Sequence, residues 1–156
     1  MDLYEELRNV VEALDRAGVP YLLVGGVAVS IYTAPRATED IDLMIHRADL
    51  PRAIEAIQPL GFRIAGRPMS LARGRLQIQR LTKIQGTDLL PLDLLLPVDP
   101  EIAALLDDRS VVDVAGRRTS IVGLRGLRAL KRLRGSALDR ADLEALGPDA
   151  GPPETP

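Results

Sequence analysis

One segment, residues 21–45 (YLLVGGVAVSIYTAPRATEDIDLMI), constrains the fold of this chain more than any other. An apolar run, the pair Gly25 and Gly26 and a second apolar run predict a strand, a tight turn and a short helix. The helix is expected to end at Ala34, because the residue before a proline avoids the helical region. A second strand is predicted over residues 38–45, so the segment indicates an α/β chain.

This second strand carries two carboxylates, Asp40 and Asp42, separated by Ile41. Side chains alternate between the faces of a strand, so both acids are expected on one face while Ile41 points into a core. Two adjacent carboxylates repel each other and are costly to desolvate, which favours a bound cation. The alternative is a solvated strand end whose acids pair with Arg36 or Arg47.

A third carboxylate lies in the most apolar stretch of the chain, LLPLDLLL over residues 89–96, where Asp93 is the one charge. A buried strand with an ionisable residue in its middle is unusual. If this strand lies beside the strand of Asp40 and Asp42, Asp93 joins these two acids in a site for divalent metal ions. The alternative is a buried aspartate that is hydrogen-bonded to backbone groups or to an arginine.

Composition narrows the kind of metal. The sequence has no cysteine and one histidine, His46, which excludes thiolate sites and histidine-rich zinc sites. Carboxylate ligands favour Mg²⁺ or Mn²⁺. The formal net charge of −2 provides no overall attraction to nucleic acid.

The rest of the pattern predicts one domain over residues 1–146 with an α/β (α+β) fold, in which helices flank a small mixed sheet and a short helical pair ends the domain. Residues 147–156 (GPDAGPPETP) are predicted to be a disordered tail. The start of the sequence is acidic and amphipathic and lacks the features of a signal peptide. No apolar run is long enough to span a membrane, so a cytoplasmic location is expected. Further helices are predicted at 2–17, 51–58, 101–106, 124–134 and 137–146, and further strands at 62–64, 76–84, 89–96, 111–114 and 119–122.

The glycine pair fits the same site. Gly25 and Gly26 join a strand to a helix, and glycines let backbone N–H groups approach a phosphate closely. Alone, the pair indicates only a tight turn; beside the aspartate pair, it favours binding of a nucleoside triphosphate.

This pattern resembles that of the nucleotidyltransferase (polymerase β-like) superfamily: a glycine pair, then D-I-D on a strand, then a lone aspartate on a later strand. Residues 25–45 and 126–146 (GLRALKRLRGSALDRADLEAL) are similar to its AbiEii branch of toxin-like nucleotidyltransferases. The resemblance implies phosphate binding by Gly25 and Gly26. It also implies roles for four further residues: metal binding and catalysis by Asp40, Asp42 and Asp93, and a triphosphate contact by Lys131.

Helical geometry places Lys131 at the edge of an apolar stripe, where it flanks the core. The alternative is a surface lysine whose stem packs on the core. Arg125, Arg128 and Arg132 share another face, which is expected to be solvated or to contact a nucleic-acid backbone.

Two functions follow. The first is metal-dependent transfer of a nucleoside monophosphate from an NTP to an acceptor hydroxyl; by resemblance, the acceptor is tRNA or a protein, in a toxin–antitoxin or defence system. The second is a non-catalytic module that binds nucleotide or a toxin or antitoxin partner. The second is motivated by the short chain and by Gly-Gly at the turn, where many members of the superfamily have Gly-Ser.

Overall fold

A computed structural model describes residues 1–35 and 37–147 of the chain. Arg36, one of the two arginines named in the alternative for the aspartate pair, lies outside the described residues, as do residues 148–156 of the predicted tail. In the described part, the helices are α1 (Leu3–Arg16), α2 (Gly25–Tyr32), α3 (Leu50–Ile57), α4 (Pro100–Ala103), α5 (Leu124–Arg134) and α6 (Ala137–Leu146). The strands are β1 (Tyr21–Val24), β2 (Ile41–Ile45), β3 (Phe62–Ile64), β4 (Met69–Leu71), β5 (Leu76–Gln85), β6 (Asp88–Pro97), β7 (Arg109–Val114) and β8 (Arg117–Val122).

All of these strands belong to one mixed sheet, which confirms the predicted fold class. The order across the sheet is β3-β5-β6-β2-β1-β8-β7, and β4 pairs with the first residues of β5, on the same edge as β3. The pairs β2–β6 and β1–β8 are parallel, whereas the other pairs are antiparallel. The two strands that carry the candidate acids, β2 and β6, are therefore neighbours in the middle of the sheet.

Helices cover both faces of the sheet. Helix α1 begins after Asp2, whose side chain accepts hydrogen bonds from Tyr4 N and Glu5 N, and its apolar stripe is buried. Lys83 of β5 donates to Glu6 of α1, which places α1 on one face. Leu95 of β6 points to the opposite face, where it meets α5. No helix among the described residues is long and apolar enough to cross a membrane.

Two element boundaries differ from the prediction at the site itself. Strand β2 begins at Ile41 and not at residue 38, because its neighbour β1 ends opposite Asp42 and β6 pairs with β2 from Ile41 onward. Residues 38–40 therefore lie outside the strand. Helix α2 begins at Gly25, so the glycine pair forms the first turn of the helix and not a separate turn.

The region from residue 100 onward matches the predictions closely. Helices α5 and α6 have the predicted bounds and form the expected helical pair. The helix predicted over 101–106 is shorter, because α4 ends at Ala103 and continues as a 3-10 turn over Ala104–Asp107. Residues 111–114 and 119–122 lie in the predicted hairpin of β7 and β8.

Candidate functional site

Two of the three predicted acids lie side by side. In the parallel pair of β2 and β6, Asp42 is the register partner of Asp93. Register partners on adjacent strands point to the same face of a sheet, so the two carboxylates share one face. Both are buried, at 8% and 6% exposure.

Asp40, the third acid, lies just before β2 and is half-buried. It lines an open cleft together with Glu39 and with Leu89 and Pro91 of β6. Burial, and then the charge of Asp93, raises the pKa of Asp40 above its usual value. Asp40 is therefore close enough to the other two acids to sense their charge, and it is the most accessible of the three.

Asp42 faces the helix layer. It lines a small enclosure with Gly25, Lys131 and Arg134, which α5 closes from above. Burial, and then the neighbouring charge of Asp93, raises the pKa of Asp42 to about 7. The cations nearby therefore do not offset the cost of holding this carboxylate ionised inside the protein.

The glycine turn is built around Asp42. Gly25 has φ +70°, a conformation that L side chains rarely adopt, and a Cβ atom placed on it would lie 2.1 Å from Asp42 Oδ2. Glycine is thus required both by the backbone and by the acid behind it. Helix α2 has no side-chain cap at its first residue, so the N–H groups of its first turn are presented beside the acids.

Arg80, which was not predicted from the sequence, belongs to the same cluster. It is the register partner of Asp93 in the β5–β6 hairpin. Its Nε lies 2.8 Å from Asp93 Oδ1, and one of its terminal nitrogens lies 2.9 Å from Asp93 Oδ2. This double hydrogen bond is the main cause that raises the pKa of Arg80. The alternative expected for Asp93, a bond to an arginine, is thus present.

The signal for Arg80 was in the sequence. Gly86 and Thr87 join β5 to β6, and a hairpin closed by Gln85 and Asp88 aligns Arg80 with Asp93. Counting back from the turn would have found the pair.

Lys131 lies close to Asp42 but is bound to other acids. The side chain is buried, and its Nζ lies 3.3 Å from Asp139 Oδ1 and 3.0 Å from Asp142 Oδ2 of α6. The predicted position flanking the core is correct, whereas the alternative of a surface lysine does not hold. Its predicted contact with a triphosphate stays a prediction.

The neighbouring arginine face is only partly solvated. Arg128, which was expected on a solvated or nucleic-acid-binding face, is buried and donates to the carbonyl oxygen of Leu146. The reason is that α6 folds back against α5 and covers that side of the helix.

The donor types fit a divalent metal ion, while the present arrangement does not yet provide a complete site. Asp40, Asp42 and Asp93 offer carboxylate oxygens. Burial, and then the charge of Asp93, raises the pKa values of Asp40 and Asp42, so the nearby cations do not offset the cost of ionising these two acids. However, no group of three or more His, Cys, Asp or Glu side chains among residues 1–35 and 37–147 is arranged to hold a metal ion. Arg80 occupies both oxygens of Asp93.

Comparison with known proteins identifies the fold. No protein-family model matches the chain, and no curated protein matches it either. Among solved structures, the lincosamide antibiotic adenylyltransferase LnuA, with lincomycin bound, has a TM-score of 0.60 and 17% identity over 91% of this chain and 94% of its own. ANT(2″)-Ia in complex with adenylyl-2″-tobramycin has a TM-score of 0.63 and 15% identity over 92% and 86%.

An antigenic nucleotidyltransferase-like protein from Paracoccidioides brasiliensis is similar at a TM-score of 0.59 and 18% identity, over 90% of this chain and 74% of its own. Identities this low establish the fold alone. The chain therefore has a nucleotidyltransferase-like fold, as the resemblance of its motifs implied.

Proposed function

We propose that this protein transfers a nucleoside monophosphate from an NTP to the hydroxyl group of an acceptor and releases pyrophosphate. The observation that carries the proposal is the pairing of Asp42 with Asp93 on adjacent parallel strands, directly beside the glycine turn at Gly25. The first turn of a helix suits the phosphates of an NTP, and the buried acids beside it suit the hydroxyl group that reacts with them.

In the proposed reaction, the acceptor oxygen attacks the α-phosphorus and forms a new P–O bond. The bond from that phosphorus to the bridging oxygen of pyrophosphate breaks, and the proton of the hydroxyl passes to a carboxylate of the cluster. The N–H groups at Gly25 and Gly26 would orient the phosphates, since they lie in the first turn of α2. Lys131 is proposed to add positive charge near the triphosphate.

A requirement for Mg²⁺ or Mn²⁺ is part of the proposal. Asp40 and Asp42 would hold the ion, and Asp93 would join them as the third ligand. A bound divalent ion supplies positive charge that offsets the charge developing on the phosphate oxygens.

For the acceptor, resemblance to the AbiEii branch favours tRNA or a protein side chain, in a cytoplasmic toxin–antitoxin or defence pair with a partner protein. Two of the similar structures contain antibiotics: one has lincomycin bound, and the other is a complex with adenylyl-2″-tobramycin. A hydroxylated antibiotic is therefore the third acceptor class to test.

The test is to incubate the protein with each of the four NTPs, labelled at the α-phosphate, and Mg²⁺ or Mn²⁺. Total tRNA, a cell protein extract and hydroxylated antibiotics serve as acceptors. We expect label to appear on one acceptor class with the wild type and with Asp107→Asn, which removes an exposed acid outside the site. Asp42→Asn is expected to lower transfer at least about a thousandfold while the protein stays folded. Absence of transfer to every acceptor with either metal would contradict the proposal.

A second candidate function is a non-catalytic module that binds a nucleotide or a partner protein. The bidentate contact between Arg80 and Asp93 favours it, because that contact occupies a predicted metal ligand. Calorimetry with NTP and Mg²⁺ separates the alternatives. Tight nucleotide binding without turnover supports the module, and binding followed by pyrophosphate release supports the enzyme.

A further inference from the structure

We infer that Arg80 is the resident cation of the carboxylate cluster, and that a divalent metal ion gains Asp93 as a ligand only when the Arg80 guanidinium releases it. The inference deepens the proposed function, because it rests on that function for the kind of ligand the site takes. Arg80 is a positioning residue in this account: it acts through Asp93 and not on the substrate.

The guanidinium of Arg80 and the carboxylate of Asp93 match in shape. The planar guanidinium presents parallel N–H groups that match the two oxygens of a carboxylate, and here both distances, 2.8 and 2.9 Å, are those of strong charge-assisted hydrogen bonds. Each oxygen of Asp93 therefore already accepts a hydrogen bond. A metal ion placed on the same oxygens would also lie against a positive charge, so the two cations exclude each other.

The two partners of this contact differ in their exposure to solvent. The side chain of Asp93 is 9% exposed, whereas that of Arg80 is 42% exposed. Asp93 is held inside the sheet, while Arg80 reaches it from the solvent side. Arg80 can therefore rotate away without opening the core, and Asp93 stays in place to receive another cation.

The other cations near the carboxylate cluster differ from Arg80 in their partners. Lys131 and Arg134 lie near Asp42, yet both also form ion pairs with Asp139 of α6. Their charge is shared with an acid outside the cluster. Arg80 instead pairs with an acid of the cluster itself, so its release exposes negative charge where a divalent ion is needed.

The experiment measures binding of Mn²⁺ alone, by isothermal calorimetry and by electron paramagnetic resonance of the free ion. The variants are Arg80→Gln, Arg80→Lys and Asp93→Asn, with Arg63→Gln as the control that removes an exposed arginine from β3. We expect Arg80→Gln to bind Mn²⁺ about tenfold more tightly than the wild type or better, because a strong competitor is gone. Arg80→Lys should lie between them, Asp93→Asn should bind more weakly, and Arg63→Gln should match the wild type.

A second measurement needs no variant and therefore remains informative if Arg80→Gln unfolds. The Arg80 Nε–H signal, followed by NMR in the wild type, should exchange slowly with water in metal-free buffer, and rapidly at saturating Mg²⁺. Unchanged Mn²⁺ affinity in Arg80→Gln, or an Nε–H signal that Mg²⁺ does not alter, would overturn the inference and leave Arg80 as a structural ion pair.

Neither readout depends on turnover. If metal affinity rises in Arg80→Gln but no acceptor is ever labelled, the competition stands and the proposed transfer fails. If labelling is found and the affinity does not change, the transfer stands and the role of Arg80 fails.

Discussion

Two groups of buried acids lie close to helix α5, and their electrostatics are opposite. On the sheet side, burial and the charge of Asp93 raise the pKa of Asp42 to about 7. On the α6 side, burial alone would raise the pKa of Asp139, but a hydrogen bond from Ser136, together with Arg134 and Lys131, holds that pKa below its usual value. Nearby cations do not offset the cost of ionising Asp42, so we call the charge of its group unbalanced. They do offset that cost for Asp139, so we call the charge of its group balanced.

The surroundings of Asp139 and Asp42 distinguish a structural ion pair from a candidate ligand site. Asp139 belongs to a capping box, in which Ser136 Oγ donates to Asp139 Oδ2 and accepts from Asp139 N, so its environment was built for a carboxylate. Asp42 instead faces another acid. A bound ligand would relieve such a repulsive arrangement, which supports the proposal that the functional site lies at the sheet and that the ion pairs of α6 hold the two helices together.

The largest expected effect comes from removing the cation of the balanced group. Lys131→Met leaves Asp139 and Asp142 buried with part of their counter-charge missing, and we expect the free energy of unfolding to fall by about 3–5 kcal/mol. Urea unfolding provides the measurement. Lys83→Met, which breaks the more accessible pair with Glu6, is the matched control and should cost less. Equal losses in the two variants would show that the ion pairs of Lys131 stabilise the protein no more than the pair of Lys83 with Glu6.

The next effect is a pH dependence confined to the unbalanced group. Because the folded pKa of Asp42 lies above its unfolded value, its contribution to stability is complete in acid and is lost as the pH rises through about 7. At about 1.4 kcal/mol per pKa unit, the loss has an upper limit of about 4 kcal/mol.

Asp42→Asn removes this titration. Measured in buffer with a chelator, the stability of Asp42→Asn relative to the wild type should rise between about pH 4 and pH 7. Contributions from groups that do not sense the charge of Asp42 cancel in the difference. A difference that stays flat over this range would mean that Asp42 is not strained in the folded protein.

A third, smaller effect on stability is expected at Gly25, where Asp42 lies against the backbone. Gly25→Ala should lower the free energy of unfolding by about 2–4 kcal/mol, since the new Cβ adds a clash with Asp42 to the cost of a positive φ. Gly18→Ala is a close control: Gly18 has φ +68°, and nothing lies within 4 Å of the position that an alanine methyl group would take there. It should cost about 1 kcal/mol. Thermal unfolding of the pair gives the difference, and equal costs would refute the contact with Asp42.

The smallest effect tests the cap that balances Asp139. Ser136→Ala removes both hydrogen bonds of its hydroxyl with Asp139 and should cost about 1 kcal/mol, the usual size for a lost N-cap. Ser110→Ala, at an exposed position of β7, should cost nearly nothing. Chemical unfolding measures both. NTP binding should be unaffected in both variants, and a loss of binding in Ser136→Ala would link the α6 group to the site.

Local patterns in the sequence carried much of the fold. The apolar stripe of α1, the bounds of α5 and α6 and the hairpin of β7 and β8 depend on periodicity and on turn residues, which act over a few positions. The same holds for the alignment of Arg80 with Asp93, because a short turn at Gly86 determines the register of its hairpin. Local rules failed where a strand boundary depended on a distant partner, as at the start of β2.

By itself, the sequence determined which residues carry the acids and the glycine turn, and it placed Asp42 on a strand beside that turn, since alternation and turn geometry are local. Tertiary structure decided that Asp42 lies beside Asp93, because parallel strands pair across a long connection whose register no local rule sets. It also decided that Lys131 is buried against α6 and that Arg80 reaches Asp93 from solvent. Charges are balanced or left unbalanced by groups from different elements, and only the assembled fold brings those groups together.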